Sequence, residues 1–152
     1  MYVQTILYIC PMEKSKYCGC LYYSANALSR IMTKMADEEF ASTGLSSSYA
    51  FLLMTVNHKP GIQPKEISEQ MQLTPSTVTR LIEKLEYRGL LKRQQSGRAT
   101  EVFTTEEGDK LAPRVKKAWS SLYQRYTGIL GKDFGDQLTA SITEASMKLD
   151  KK

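Results

Sequence analysis

The stretch Leu73–Arg98, LTPSTVTRLIEKLEYRGLLKRQQSGR, decides the fold of this 152-residue chain. Thr74 is a favoured helix N-cap and Pro75 a favoured first helical residue, so a helix is predicted to begin here. The helix is predicted to run to Arg88, because Gly89 is a typical residue for ending a helix.

The two faces of this predicted helix differ in their chemistry. The apolar face, which we expect to pack on a core, consists of Val78, Leu81, Ile82 and Leu85. The opposite face carries small hydroxyls and cations, which can bond base edges or phosphates in a DNA major groove. With the cap residues, the predicted DNA contacts here are Thr74, Pro75, Ser76, Thr77, Thr79, Arg80 and Lys84.

A β-hairpin is predicted directly after Gly89, since residues 90–94 and 100–104 have strand character and Ser96-Gly97 supplies a turn. A short helix that carries Ile67 and Met71 is predicted before Thr74. Two short helices followed by a hairpin indicate a winged helix-turn-helix. Two further cations are predicted DNA contacts on the hairpin, Arg93 and, for a minor groove, Arg98.

The charge distribution favours the same interpretation. The chain has a net charge of +5 and a pI near 9.1, and 41% of its residues are hydrophobic. Six cations and two acids lie between Thr74 and Arg98, so this window holds +4 of the +5. The competing interpretation is a solvated basic helix, for which both the cap and the hairpin signals would be coincidences.

Helices are predicted on both sides of this unit. Apolar residues spaced by three and four predict one over 21–40, and Gly44 ends that segment. A second helix, YAFLLMTV, follows the serines 46–48 and stops at Pro60-Gly61. A long helix begins at Thr105-Glu106-Glu107, and a break at Gly128 and Gly131 precedes a last amphipathic helix. The predicted fold is mainly α with a small β-hairpin wing.

Residues Gly61–Gly108 resemble the MarR family of bacterial transcription regulators, through IQPKEISEQMQLTPSTVTRLIEKLEYRGLLKR and VFTTEEG. The resemblance implies a homodimer that presents two recognition helices and two wings to a pseudo-palindromic operator. It implies helical dimerisation regions at 21–45 and 105–152, a DNA-binding region at 46–104 and an N-terminal extension at 1–20. The expected function is therefore sequence-specific binding of double-stranded DNA as a transcription regulator, a repressor, and not an enzyme.

The sequence departs from the family pattern at the wing. The family usually has an aspartate two residues before the wing arginine, where the two side chains brace each other, but Ser96 stands there before Arg98. The hairpin is also shorter than is usual in the family. The missing aspartate leaves open a third interpretation, a protein-interaction module that has kept the fold and lost DNA contact.

Two kinds of signal are compatible with such a regulator. The run Ser29–Lys34, SRIMTK, resembles the oxidant-sensing branch of the family, but the reactive-cysteine position aligns with Tyr22. Cys18 and Cys20 are the candidate redox residues, inert thiols or a thiol enzyme being the alternatives. A small aromatic ligand is the other candidate effector. The predicted lining of its pocket is Tyr22, Tyr49, Met54, Trp119 and Tyr123.

Other site classes find little support in the sequence. Cys18-Gly-Cys20 lacks zinc spacing, so no metal and no cofactor are expected. The absence of a long apolar run argues against a membrane partner, and three cysteines without a secretory signal favour a cytoplasmic location. Met12 opens a polar stretch that is typical of a bacterial N-terminus, so Met1 and Met12 are alternative translation starts.

Overall fold

The computed structural model describes residues 16–17 and 19–150 and confirms a mainly helical chain with one antiparallel hairpin. Helix α1 is Leu21–Phe40, and a 3-10 turn, Ala41–Thr43, extends it to Gly44. The elements that follow are α2 (Ser47–His58), α3 (Pro64–Met71), α4 (Pro75–Tyr87), β1 (Leu91–Ser96), β2 (Ala99–Thr104), α5 (Glu106–Leu130) and α6 (Lys132–Leu149). Both alternative translation starts, Met1 and Met12, lie outside the described residues.

Most helix ends are where the sequence predicts them. Thr105 caps α5 by accepting a hydrogen bond from the Gly108 N–H at 3.1 Å, and Gly44 and Gly89 have positive φ angles of 71° and 70°. Ser46 is the N-cap of α2, but its side chain makes no cap bond. The Asp37 carboxylate of α1 accepts from the Ser47 N–H at 2.8 Å instead, which ties α1 to the start of α2.

Three local predictions need correction. The hairpin turn is Gly97-Arg98 rather than Ser96-Gly97, because Ser96 still pairs with Ala99 in the strand register. Helix α4 ends at Tyr87, and Arg88 is its C-cap. Helix α5 continues through Gly128 to Leu130, since a glycine within a helix lowers its stability without forcing it to end.

One hydrophobic core joins α1, α2 and α5 to the helix-turn-helix. It consists of Ala36, Phe40, Leu45, Ala50, Leu52, Leu53, Val56, Ile62, Ile67, Val78, Ile82, Leu85, Leu90, Leu91, Val102, Val115, Ala118 and Leu122. The apolar stripe predicted on α1 enters this core only toward its end, because Leu21 and Ala25 are exposed and Leu28 is half-buried. On α6 only Gly135 is buried.

Candidate nucleic-acid interface

The back of α4 fixes the direction in which this helix faces. Val78, Ile82 and Leu85 are at most 1% exposed, and Leu81 packs partly against the core. Between α3 and α4, Gln72 adopts a left-handed conformation with φ 54°, and the Ser68 hydroxyl donates to the Leu73 carbonyl at 2.5 Å. The turn is therefore held by local bonds, and the rotation of α4 is set by the burial of its apolar side.

Hydroxyl groups gather at the N-terminus of α4. The Thr74 hydroxyl accepts from the Thr77 N–H at 3.3 Å and lies 2.8 Å from the Thr77 Oγ1 and 3.1 Å from the Ser76 Oγ. These residues and Pro75 are exposed. The helix end carries a partial positive charge, so this hydroxyl cluster is suited to approach a phosphate.

The outward face of α4 carries cations that the chain itself does not neutralise. The Arg80 side chain forms no ion pair or hydrogen bond with any described residue. Lys84 lies over the Tyr87 ring, with its Nζ 5.6 Å from the ring centroid. The Thr79 hydroxyl donates back to the Pro75 carbonyl at 3.0 Å, so its proton is already used within the helix. Arg80 is therefore the side chain on this helix that is most available for an outside acceptor.

The wing is short and its tip is open. Gly97 has a φ of 61°, as a two-residue hairpin turn requires, and Arg98 occupies the second turn position, fully on the surface. Gln95 donates to the Thr100 hydroxyl at 3.0 Å across the strands. Arg98 has no acidic partner among the described residues, as expected from Ser96. Arg93 differs from it, because it is paired with Glu86 of α4.

The base of the wing is joined to the helices by backbone bonds that the sequence did not predict. Gly61 donates to the Val102 carbonyl at 2.9 Å, and Val102 donates to the Ile62 carbonyl at 3.0 Å. The loop before α3 thus adds a short bridge to the outer edge of β2. The one sequence signal for it is the β-branched Ile62 directly after Pro60-Gly61.

An ion pair stabilises the approach to the helix-turn-helix from α2. The Lys59 ammonium bonds the Glu66 carboxylate, which also accepts from the Gln63 N–H at 3.1 Å and so caps the first turn of α3. The hydrogen bond from Lys59, and then the one from Gln63, lower the pKa of Glu66. Both side chains of the pair are well exposed, so the carboxylate is important mainly as a cap.

Residues 45–98, which include α2, the helix-turn-helix and the first strand of the wing, match the model of the MarR family. This segment of the chain is therefore similar to the MarR family. Two relatives from Bacillus subtilis are similar to it. The HTH-type transcriptional repressor MdtR is 25% identical over 72% of this chain and 74% of its own length. The uncharacterized HTH-type transcriptional regulator YybA is 25% identical over 59% of this chain, and the match spans 62% of YybA.

Solved structures show the same fold. The transcriptional repressor CouR bound to a 23-mer DNA duplex superposes with a TM-score of 0.80 at 20% identity, over 90% of this chain and 99% of that one. The MepR–DNA complex of S. aureus gives 0.75 at 22% identity, over 86% and 98%. CouR bound to p-coumaroyl-CoA gives 0.80 at 20% identity, over 89% and 97%.

A cleft of about 730 Å³ lies between α2, α3 and α5. Met54 and Trp119 line it, as two of the five predicted pocket residues. Its other lining residues are Phe51, Thr55, Asn57, His58, Gln70, Asp109, Ala112, Pro113 and Lys116. The cleft thus has apolar walls, and His58 and Lys116 add basic groups that were not predicted as part of a site.

The three predicted pocket tyrosines lie elsewhere in the single chain. Tyr22 is 78% exposed in the first turn of α1, and Tyr49 packs partly against the core. The Tyr123 hydroxyl donates to Asp136 at 3.1 Å at the start of α6. The sequence predicts them as pocket residues because aromatic side chains suit a ligand cavity, but residue type alone does not show which helix faces meet.

Of the two candidate redox residues, the structure describes only Cys20. Cys20 is exposed, has a free thiol and is the N-cap of α1 without a side-chain cap bond. Cys18 lies outside the described residues. Among the residues described, no group of three metal-binding side chains comes together. In the same part of the chain, no helix combines the length and the apolar character that a membrane crossing requires.

Proposed function

We propose that this chain is a sequence-specific, double-stranded DNA-binding transcription regulator that represses its targets as a homodimer on pseudo-palindromic operators. The observation that carries the proposal is the outward face of α4, where Arg80 and the Thr74, Ser76 and Thr77 hydroxyls are exposed. Helix α4 has 13 residues, about 20 Å, which suits insertion into a major groove. Lys84 and Arg98 extend the same contact set.

The names of one similar protein and of two similar structures support this proposal. MdtR is a repressor, and CouR and MepR have been solved with DNA. We propose DNA binding for this chain as well, because the side chains on the outward face of α4 are exposed and available for DNA contacts. In the alternative, a protein-interaction module, α4 would not need an open guanidinium above a cluster of hydroxyls.

The proposed homodimer rests on apolar surface that the single chain leaves uncovered. Along α6, Phe134, Ile142 and Leu149 are 56%, 46% and 76% exposed and lie on one stripe with the half-buried Leu138. Leu21, Tyr22 and Ile31 of α1 are similarly open. Exposed apolar side chains aligned along one helix face, unlike single scattered ones, are typical of an interface. Residues 21–45 and 105–152 are therefore the proposed dimerisation region, and 46–104 the proposed DNA-binding region.

DNA binding is tested by fluorescence anisotropy with duplexes from the chain's own promoter region and with a scrambled duplex. We expect preference for the promoter duplex and a steep loss of affinity with salt, since each phosphate contact releases counterions. Light scattering of the same sample reports the dimer. Equal affinity for both duplexes, or binding that does not depend on salt, would contradict the proposal.

An effector is the second part of the proposal, and the cleft between α2, α3 and α5 supports it. The apolar walls from Met54 and Trp119 suit an aromatic ring, and Lys116 suits an anionic group. CouR has been solved with p-coumaroyl-CoA, a bound aromatic thioester. In the dimer, Tyr22, Tyr49 and Tyr123 are the further proposed contacts, and Cys18 and Cys20 are the proposed sites if the signal is an oxidant.

A release assay separates the two signals. DNA-bound protein is titrated with p-coumarate or treated with cumene hydroperoxide, in the wild type, in Trp119→Ala and in Cys18→Ser/Cys20→Ser. Release by the aromatic acid that Trp119→Ala abolishes supports the cleft. Release by peroxide that the serine variant abolishes supports the thiols, and no release by either contradicts both.

A further inference from the structure

The carboxylate of Glu86, near the end of α4, binds two groups of one residue on the wing. Its Oε1 accepts from the Arg93 backbone N–H at 2.9 Å, and its Oε2 lies 2.6 Å from the Arg93 Nη2. The Glu86 side chain is only 23% exposed. Charge-assisted bonds of this kind are stronger than neutral ones, and two bonds to one residue fix its orientation as well as its distance.

Arg93 stands opposite Val102 in the register of the hairpin. Val102 is the residue that exchanges backbone bonds with the loop before α3, at Gly61 and Ile62. The hairpin is therefore held from both edges at a single cross-strand pair, on the β1 side by Glu86 and on the β2 side by that loop. Beyond this pair, residues 94–101 form a two-stranded ribbon that carries Arg98 at its tip.

The tip has no acidic brace of its own. Ser96 lies two residues before Arg98, and no described carboxylate bonds Arg98. A two-stranded ribbon alone is marginally stable in water. The direction in which Arg98 points must therefore be set where the ribbon is attached, at the Arg93–Val102 pair.

We propose that Glu86 and Arg93 are positioning residues for DNA binding: their bridge fixes the angle between the recognition helix α4 and the wing, and through it the position of Arg98. The proposal rests on the proposed function. It assigns to the Arg93 side chain a bond inside the protein, whereas the sequence predicted a contact with DNA. The geometry explains why the wing of this chain can lack an acidic residue beside its arginine.

Electrostatics and positioning predict opposite effects when Glu86 loses its charge. Glu86→Gln removes a negative charge close to the DNA-facing surface, which by charge alone should strengthen binding. The same substitution removes the ion pair with Arg93, which by positioning should weaken it. Glu83→Gln is the matched control, because Glu83 is exposed on the same helix and has no ion partner among the described residues.

The test measures the affinity of the full-length wild type, Glu86→Gln and Glu83→Gln for the promoter duplex, each with and without Arg98→Ala. We expect Glu86→Gln to weaken binding by about fivefold and Glu83→Gln to leave it equal or tighter. Arg98→Ala should weaken the wild type but have little further effect in Glu86→Gln, because the misplaced ribbon has already lost that contact. Tighter binding by Glu86→Gln, or additive losses, would overturn the proposal.

Amide hydrogen exchange of the free protein tests, without DNA, whether the Glu86–Arg93 bridge stabilises the wing. In Glu86→Gln the Arg93 N–H and the amides of residues 94–101 should exchange faster, while those of α2 should not change. If the wild type binds no DNA but exchange behaves in this way, the proposed function fails and the bridge stands. If exchange at Arg93 is the same in both proteins, the bridge does not hold the wing and the proposal fails.

Discussion

The guanidinium of Arg88 donates to the carbonyl of Gly44 at 2.9 Å and thereby joins the end of α4 to the turn that ends α1. Arg114 of α5 donates to the Ser42 carbonyl in the same turn. Carbonyls at a helix C-terminus carry partial negative charge, so cations are favoured there. The turn that ends α1 is thus bonded to both α4 and α5, and α1 and α5 belong to the proposed dimerisation region.

Replacing Arg88 by alanine should lower the free energy of unfolding by about 1 kcal/mol, since an exposed hydrogen bond to a charged donor is lost. Urea denaturation measures the change. The matched control is Arg80→Ala, which removes an arginine side chain from α4 at a position where it has no partner among the described residues, and should leave the stability unchanged. Equal losses for both variants would show that the bond to Gly44 contributes nothing.

Two glycines of α5 should respond in opposite directions to alanine. A Cβ on the buried Gly108 would lie 2.3 Å from the Leu90 carbonyl oxygen, whereas one on Gly128 would meet nothing within 4 Å. Gly108→Ala should destabilise the protein by about 2 kcal/mol or more, because backbone atoms must move. Gly128→Ala should stabilise it by about 0.5–1 kcal/mol through helix propensity.

Thermal and urea denaturation of both alanine variants test this pair of predictions. The comparison is internal, because both positions lie within the same helix. A neutral Gly108→Ala would mean that the start of α5 can move away from the segment between α4 and the wing. That result would weaken the view that the wing base is rigidly attached.

The fold could be predicted from the sequence because its signals are local. Thr74-Pro75 and Thr105 mark helix starts, Gly44 and Gly89 mark ends, and the period of the apolar residues changes at the hairpin. Each signal depends on backbone geometry within a few residues, and the structure follows it closely. The turn was wrong by one position, since Ser96-Gly97 and Gly97-Arg98 both suit a turn and only the strand register separates them.

The contacts between elements could not be predicted in this way. Glu86–Arg93 and Arg88–Gly44 depend on how α4, β1 and the α1–α2 turn pack together, and neither spacing has a sequence signature. The lining of the cleft could be predicted only in part, because Met54 and Trp119 were predicted but His58 and Lys116 were not. Side-chain type shows what a residue can bond, whereas packing determines which partner it meets.

The start of α6 should respond to acid through Asp136. Its carboxylate accepts from Lys132 at 2.8 Å and from the Tyr123 hydroxyl at 3.1 Å, and these bonds lower the pKa of Asp136, with Lys132 as the larger cause. A lowered pKa in the folded state means that the contribution to stability is present above the unfolded pKa, near 4, and is lost as pH falls through the folded value.

Carbon-detected NMR titration should therefore show a pKa of Asp136 below the ordinary aspartate value. Tyr123→Phe, which removes the smaller of the two causes, should raise that pKa in part, and Lys132→Gln should raise it further. An Asp136 titration that is the same in all three proteins would show that the two bonds are not formed in solution. The Asp136 side chain is 45% exposed, so only a small effect on global unfolding is expected.

Arg80 is the residue whose loss should affect DNA binding most selectively. Its guanidinium extends from the exposed face of α4 without an ion partner among the described residues, and a guanidinium can pair with the O6 and N7 of guanine. Arg80→Ala should cost about 1–3 kcal/mol in binding to the promoter duplex and relax base preference at one position in each half-site.

The control for Arg80 is Lys117→Ala, which removes one positive charge from an exposed position on α5. Binding is measured by anisotropy against the promoter duplex and against a set of single-base variants. If Arg80 reads a base, its variant should lose discrimination at one position, whereas Lys117→Ala should keep the full preference. A uniform loss over all duplexes would instead make Arg80 a phosphate contact, and the specificity of α4 would then have to come from the hydroxyls of Ser76 and Thr77.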